Sequence, residues 1–180
     1  IKENKIDEAE QILSNINLPK SYFNAAVVLE KMNELDLAIK FYDKSIEIDA
    51  NYFPPFINKS KLIEKKGNIP LAIQCLNDAL KIRINLHYIT YHNLGNLHFK
   101  LLDYKNALKF FIKSYKLNKD NFHSLHNIGN ILEEIGRFKF ALKAYNQLIN
   151  EAKNKDVINN FPKTLLNRSL LLIKFKNYKD

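Results

Sequence analysis

The chain has 180 residues, 46% of them hydrophobic, with only four glycines and five prolines. That is ample apolar material for a packed core, and with strand-like alternation rare it favours helices. The net charge of +9 admits acidic partners, yet lysine-rich helix faces kept wet by their charge account for it as well. No apolar run approaches the ~20 residues of a membrane helix, and the polar opening IKENKIDEAEQ does not read as a secretory signal. The single cysteine, Cys75, excludes an intramolecular disulfide framework and fits a reducing, cytoplasmic setting.

Taken in chain order, residues 1–18 read as the second half of a helix pair. Residues 19–52, 53–87, 88–121 and 122–155 read as four complete repeats, spaced 34, 35 and 34 residues apart. Aligning Ala107 with Ala141 pairs Asn93 with Asn127, Gly95 with Gly129, Tyr104 with Phe138 and Phe111 with Tyr145. Upstream, Ala72 and Ala38 take the same place, with Asn58 and Asn24, Ser60 and Ala26, Leu76 and Tyr42 in register. Residues 150–161 run six residues beyond that register, so 156–161 reads as an inserted connection, with Asp156 an N-cap. Residues 162–180 begin a further repeat, carrying Leu165, Asn167, Ser169, Leu172 and Tyr178. Opening inside a second helix and stopping at FKNYKD, the chain reads as part of a longer array.

Each repeat reads as two helices and a short turn. In residues 88–121 the first helix places Tyr91, Leu94, Gly95, His98 and Leu101 or Leu102 at helical spacing. Asp103 then falls where a turn and N-cap belong, and the second helix aligns Ala107, Phe111 and Ser114. Small residues let antiparallel helices approach, and large ones fill the groove between them. Gly67 and Gly136 fall at the turns, where a left-handed backbone is cheapest. Pro54, Pro70 and Pro162 fall at or near helix starts, where a missing N–H costs little.

These residues resemble the tetratricopeptide repeat family: aromatic or Leu, Leu-Gly, aromatic, Ala, aromatic, Ala over 34 residues. The resemblance covers essentially the whole chain. It implies an all-α fold, a right-handed α-solenoid of stacked antiparallel helix pairs whose first helices line a concave groove. Departures are Leu148 at the second small position, and Lys59 and Arg168 where an apolar residue is usual.

The resemblance also implies a role, that of a protein–protein interaction scaffold holding a partner peptide or segment in the groove, a segment that the net charge allows to be acidic. Positions that face the groove in this family hold Asn24, Asn58, Asn93, Asn127 and Asn167, with Asn96 and Asn130 one turn further on. His92, His126, Lys61 and Lys163 take other groove positions. Carboxamides suit a peptide backbone because each offers both a donor and an acceptor. First helices ~10 Å apart and an extended peptide advancing ~3.3 Å per residue would let each Asn engage about every third residue. The row resembles the asparagine ladder of O-linked N-acetylglucosamine transferases. The alternative role is therefore the substrate-recruiting arm of a larger enzyme such as an O-linked glycosyltransferase.

Other chemistries find less support. A dicarboxylate clamp for acidic tails is matched loosely by His92, Asn96, Asn127 and Lys163, but Asn167 occupies the Arg place and Arg168 stands one residue off. His123 and His126 at i, i+3 lack the cysteine or carboxylate that would complete a zinc set, so no metal and no cofactor are expected. If His92 and His126 pair across the groove, partner affinity changes with pH near ~6.5. Cys75 reads as a small apolar residue. No phosphate loop, catalytic carboxylate pair or Ser/His/Asp spacing stands out, so no enzyme is expected within these residues. The basic face lacks interleaved aromatics, which argues against nucleic acid.

Overall fold

The computed structural model of the chain describes residues 11–82 and 85–176, with side chains through Lys174. Residues 1–10 and Tyr178 lie outside them. Every regular element among the described residues is helical. Helix α1 covers residues 11–16. It is followed by α2 (Pro19–Lys31), α3 (Leu35–Ile48), α4 (Pro54–Lys65), α5 (Ile69–Ala79) and α6 (His87–Lys100). Then come α7 (Tyr104–Leu117), α8 (Phe122–Glu134), α9 (Phe138–Asn154), a 3-10 turn at Ile158–Asn160, and α10 (Pro162–Lys176). The chain divides into two compact halves, residues 1–84 and 85–180. Each is a stack of helix pairs.

Prolines open α2, α4 and α10 and take the second position of α5, where their lost N–H has no intrahelical partner. Asn68, Asp103 and Asn121 cap α5, α7 and α8 through side-chain oxygens that accept from backbone N–H groups of the first turn. Helices α2, α4, α6 and α8 end in the same fold-back. The N–H of Glu34, Asn68, Asp103 and Arg137 reaches the carbonyl five residues earlier, at 2.9, 3.1, 2.9 and 2.7 Å. The residue before each of these takes a left-handed backbone: Asn33 (φ 61), Gly67 (φ 86), Leu102 (φ 58) and Gly136 (φ 74). The two glycines announce this turn in the sequence and Asn33 is a residue type that tolerates it; Leu102 gives no such sign. Leu102 adopts it against a penalty of roughly 1–2 kcal/mol, and its side chain is 69% exposed. Leu101 is 48% exposed, so neither leucine is the core residue that helical spacing implied. The turn takes them out of the helix before they can face inward.

Within a pair, one small residue on the first helix seats one large residue sixteen positions on. Ala26 and Tyr42, Ser60 and Leu76, Gly95 and Phe111, and Gly129 and Tyr145 hold these places, and all are buried. A Cβ at Gly95 would come within 2.7 Å of the Phe111 ring, and one at Gly129 within 2.2 Å of the Tyr145 ring. Ala38, Ala72, Ala107 and Ala141 are wholly buried, so the next helix can pack on their backbone.

Ser114 does more than stay small. Its hydroxyl donates to the Tyr88 carbonyl at 2.6 Å, while Asn121 Nδ2 (2.8 Å) and the Ser124 hydroxyl (3.0 Å) donate to it. Ser45 repeats the first of these bonds, donating to the Pro19 carbonyl at 2.7 Å. Ser114 and Ser124 are fully buried, so removing the hub strands a buried hydroxyl. Ser114→Ala is expected to cost about 2 kcal/mol in urea denaturation. A loss below about 0.5 kcal/mol, the level of an ordinary surface change, would contradict this.

The six extra residues form a built connection. Helix α9 has 17 residues against 14 in α7. The N–H of Val157 then folds back to the Ala152 carbonyl at 2.9 Å, with Asp156 left-handed at φ 55. Asp156 therefore terminates α9 and does not N-cap the helix that follows. Phe161 returns the chain to the core, edge-on to Phe122 with ring centroids 5.8 Å apart.

Candidate functional site

In the C-terminal half, cross-helix hydrogen bonds set the first helices α6, α8 and α10 side by side. Asn127 Nδ2 donates to Asn96 Oδ1 at 3.2 Å, and Asn167 Nδ2 donates to Asn130 Oδ1 at 3.0 Å. Thus Asn127 and Asn167 each meet the Asn one turn further along the preceding first helix. Histidines form a parallel set of links. His92 Nδ1 lies 2.8 Å from the Ser124 hydroxyl, and His126 Nδ1 lies 2.7 Å from that of Thr164.

The donors can be assigned. Ser124 spends its one proton on Ser114, so His92 Nδ1 carries the hydrogen and donates to Ser124. Asn130 Nδ2 approaches His126 Nε2 at 3.0 Å, which makes that nitrogen the acceptor and leaves Nδ1 to donate to Thr164. Asn130 also receives the Tyr145 hydroxyl at 2.8 Å, and this hydroxyl shares its proton with Glu133 Oε2 at 3.0 Å. The wall is thus a connected polar network running from Thr164 through His126, Asn130 and Tyr145 to Glu133.

In the N-terminal half, Asn58 Nδ2 donates to the Tyr42 hydroxyl at 3.2 Å, and that hydroxyl donates to Glu30 Oε2 at 3.1 Å. Burial raises the Tyr42 pKa to about 12; Asn58 opposes the shift and Glu30 adds to it. Asn24 and Lys61 are exposed on α2 and α4, and Lys163 is exposed on α10. Asn58, Asn93, Asn96, Asn127, Asn130, Asn167, His92 and His126 are half-buried. Residue types alone did not single out Tyr42, Tyr145, Glu30, Glu133, Ser124 or Thr164 as parts of this wall. A usable signal was present: Glu precedes Tyr by twelve residues in both the Glu30–Tyr42 and Glu133–Tyr145 pairs.

The two polar departures from the repeat pattern have partners on the second helices. Lys59 pairs with Asp43, and Arg168 Nε donates to Asn146 Oδ1 at 2.5 Å. Arg168 is therefore turned toward α9 and away from the Asn167 position, where a clamp would need it. His123 is exposed and packs over Phe161, with ring centroids 5.1 Å apart. Cys75 is buried, its thiol donating to the Phe56 carbonyl at 3.4 Å, and burial pushes its pKa up to about 11.

Burial, then the charges of His123 and Lys163, hold the His126 pKa below its ordinary 6.5. The folded chain therefore resists a proton that the unfolded chain accepts, and stability falls as pH drops below about 6.5. Thermal melts between pH 7.5 and 5 are expected to show a steeper acid loss for the native chain than for His126→Gln. Parallel curves would contradict it.

Models of the tetratricopeptide repeat match residues 86–153 and 19–52. The chain belongs to the tetratricopeptide repeat family. It is 27% identical over 175 residues to the TPR repeat-containing protein MJ1428 of Methanocaldococcus jannaschii, an overlap of 89% of this chain. The chain spans 30% of the length of that relative. Among solved structures, it resembles YrrB, described as a TPR protein with an unusual peptide-binding site. That likeness has a TM-score of 0.70 at 21% identity and covers 93% of this chain and 83% of YrrB. It also resembles a chain of the APC/C hetero-tetramer Cut9–Hcn1, with a TM-score of 0.73 at 18% identity, covering 98% of this chain and 34% of that one. At such identities the structures speak for the fold, an α-solenoid of tetratricopeptide repeats. Among the described residues no helix is long and apolar enough to cross a membrane, and no group of three or more His, Cys, Asp or Glu is placed to hold a metal ion.

Proposed function

We propose that this tetratricopeptide repeat chain is a protein-interaction scaffold whose first helices receive an extended segment of a partner protein. The repeat fold supports the scaffold role in general, and the peptide-binding site of YrrB is a precedent for the finer reading. The observation that carries it is the Asn96–Asn127 pair on α6 and α8. This bond uses one amide hydrogen of Asn127 and one lone pair of Asn96. A carboxamide has two donors and two acceptor sites, so both side chains keep capacity for the N–H and C=O of a bound backbone. Asn93, one turn before Asn96 on α6, is half-buried like them and extends the same polar strip.

The test is quantitative affinity capture from native lysate, native chain against the Asn93→Ala, Asn127→Ala double variant. Helicity is expected to persist and stability to fall by no more than about 1 kcal/mol, the worth of one hydrogen bond. Capture of the partner is expected to weaken about tenfold. Unchanged capture with a sharp loss of stability would make the row purely structural.

A further inference from the structure

The charge of the chain is not spread along it. Residues 1–84 carry 12 Lys and Arg against 12 Asp and Glu, whereas residues 85–180 carry 16 against 7, so the whole +9 belongs to the C-terminal half. Within that half the second helices α7 and α9 carry seven lysines, and the first helix α10 adds Lys163, Arg168, Lys174 and Lys176. Helix α7 contains no Asp or Glu, and α9 contains only Glu151. The two helices lie side by side: the Tyr115 hydroxyl donates to Glu151 Oε2 at 2.6 Å, Gln147 Nε2 donates to Tyr115 at 3.1 Å, and Lys155 pairs with Asp120. These bonds also engage the two carboxylates nearest the seam.

Away from that seam the outward arcs are basic. Lys105, Lys109 and Lys116 on α7 and Lys139, Lys143 and Lys153 on α9 are all exposed. Lys139 and Lys143 stand 34 residues after Lys105 and Lys109, so they repeat the same positions one helix over. At 1.5 Å of rise per residue, Lys105 to Lys116 spans about 16 Å, and neighbouring helices add about 10 Å of width. The result is a two-dimensional field of lysines. Bulky apolar side chains stand exposed within it: Phe140 at 57% on α9, and Leu117 at 60% and Ile112 at 37% on α7. Gln147, seven residues later on the same arc of α9, reaches Tyr115, so Phe140 borders the seam.

We propose that this face of α7 and α9 docks on an anionic phospholipid bilayer, its lysines among the headgroups and Phe140 at their base. Protein interfaces are depleted in lysine and enriched in arginine and aromatic residues; this face is the reverse. Nucleic acid is gripped by arginine forks and stacking aromatic rows. Helices α7 and α9 contain no arginine, and Phe140 would be idle against phosphates. An anionic leaflet attracts hydrated lysines without stripping their water, and an exposed ring finds its place at the headgroup level. The surface is distinct from the first-helix wall, so it stands or falls independently of the peptide reading.

Sedimentation with phosphatidylcholine vesicles, with and without roughly one-third phosphatidylserine, tests it. Retention is expected only with phosphatidylserine, and to fall as salt is added. Lys109→Gln with Lys143→Gln is expected to lower the partition coefficient about 25-fold, about fivefold per lysine. Lys65→Gln with Lys81→Gln, on the N-terminal half, is expected to change it little. Phe140→Ala is expected to weaken vesicle binding while leaving retention of a DNA duplex unchanged. Circular dichroism of each variant keeps loss of binding apart from loss of fold. Absence of retention at low salt overturns the proposal. So does equal binding to vesicles, duplex DNA and polyglutamate with no effect of Phe140→Ala, since that would mark an unselective polycation.

Discussion

Replacing Gly129 with leucine is expected to destabilise the α8–α9 pair by about 3 kcal/mol, lowering the melting midpoint by roughly 6–12 °C. Even the first added carbon would lie 2.2 Å from the Tyr145 ring, far inside van der Waals contact. The ring has no easy escape, because it is fully buried and its hydroxyl is held by Asn130 and Glu133. The helices must therefore separate or the ring must leave. The chain supplies its own compensation at the equivalent place, where Ser60 faces Leu76. Gly129→Ser combined with Tyr145→Leu is expected to recover all but about 1–2 kcal/mol, the cost of leaving Asn130 and Glu133 without the hydroxyl. A Gly129→Leu variant that melts with the native chain would show that close approach here does not set the helix spacing.

Phe161→Ala is expected to cost about 3–4 kcal/mol in chemical denaturation. Phe161 is 8% exposed and shares a core cluster with Phe122, Leu125, Leu148 and Ala152. Its ring lies edge-on to Phe122, while Val157 and Ile158 pack against the same cluster. Truncation would leave a cavity between the start of α8 and the connection that seats α10. Amide exchange should therefore accelerate in the first turns of α8 and α10, with α2 and α3 unaffected. His123→Ala, which removes an exposed ring lying over Phe161, is expected to cost less than about 1 kcal/mol. Equal effects of the two substitutions would contradict a buried anchor at residue 161.

The helix pairs were legible because a close approach leaves a mark in residue size. Ala38, Ala72, Ala107 and Ala141 recur at the repeat spacing and are wholly buried, and Gly95 and Gly129 stand where a side chain would strike a ring. The turns were legible only in part. Gly67 and Gly136 advertise a left-handed residue and Asn33 tolerates one, whereas Leu102 adopts the same backbone without announcing it. There the hydrogen bonds of the fold-back and the packing on either side override the local preference of leucine. The connection at 156–161 was visible as surplus length, but its form was not, since Asp156 is as good an N-cap by type as it is a left-handed terminator by position.

The asparagine row shows the same division. Its spacing is a property of the sequence. Which amide meets which is not, because Asn127 finds Asn96 and Asn167 finds Asn130 across 31 and 37 residues of chain. Likewise the histidines looked able to meet each other, yet each Nδ1 goes to a hydroxyl on the following first helix. The basic face lay in plain counts of charge by half, and what the fold added was that α7 and α9 share a seam.

The sequence by itself determined the class of the fold, the repeat length and the alternation of small and large residues, because periodic burial needs periodic side chains. Only the tertiary structure decided which polar atoms are already partnered, which lysines stand together and where leucine must turn left-handed. Hydrogen bonds and surfaces between helices join residues far apart in the chain, and no local pattern encodes that geometry.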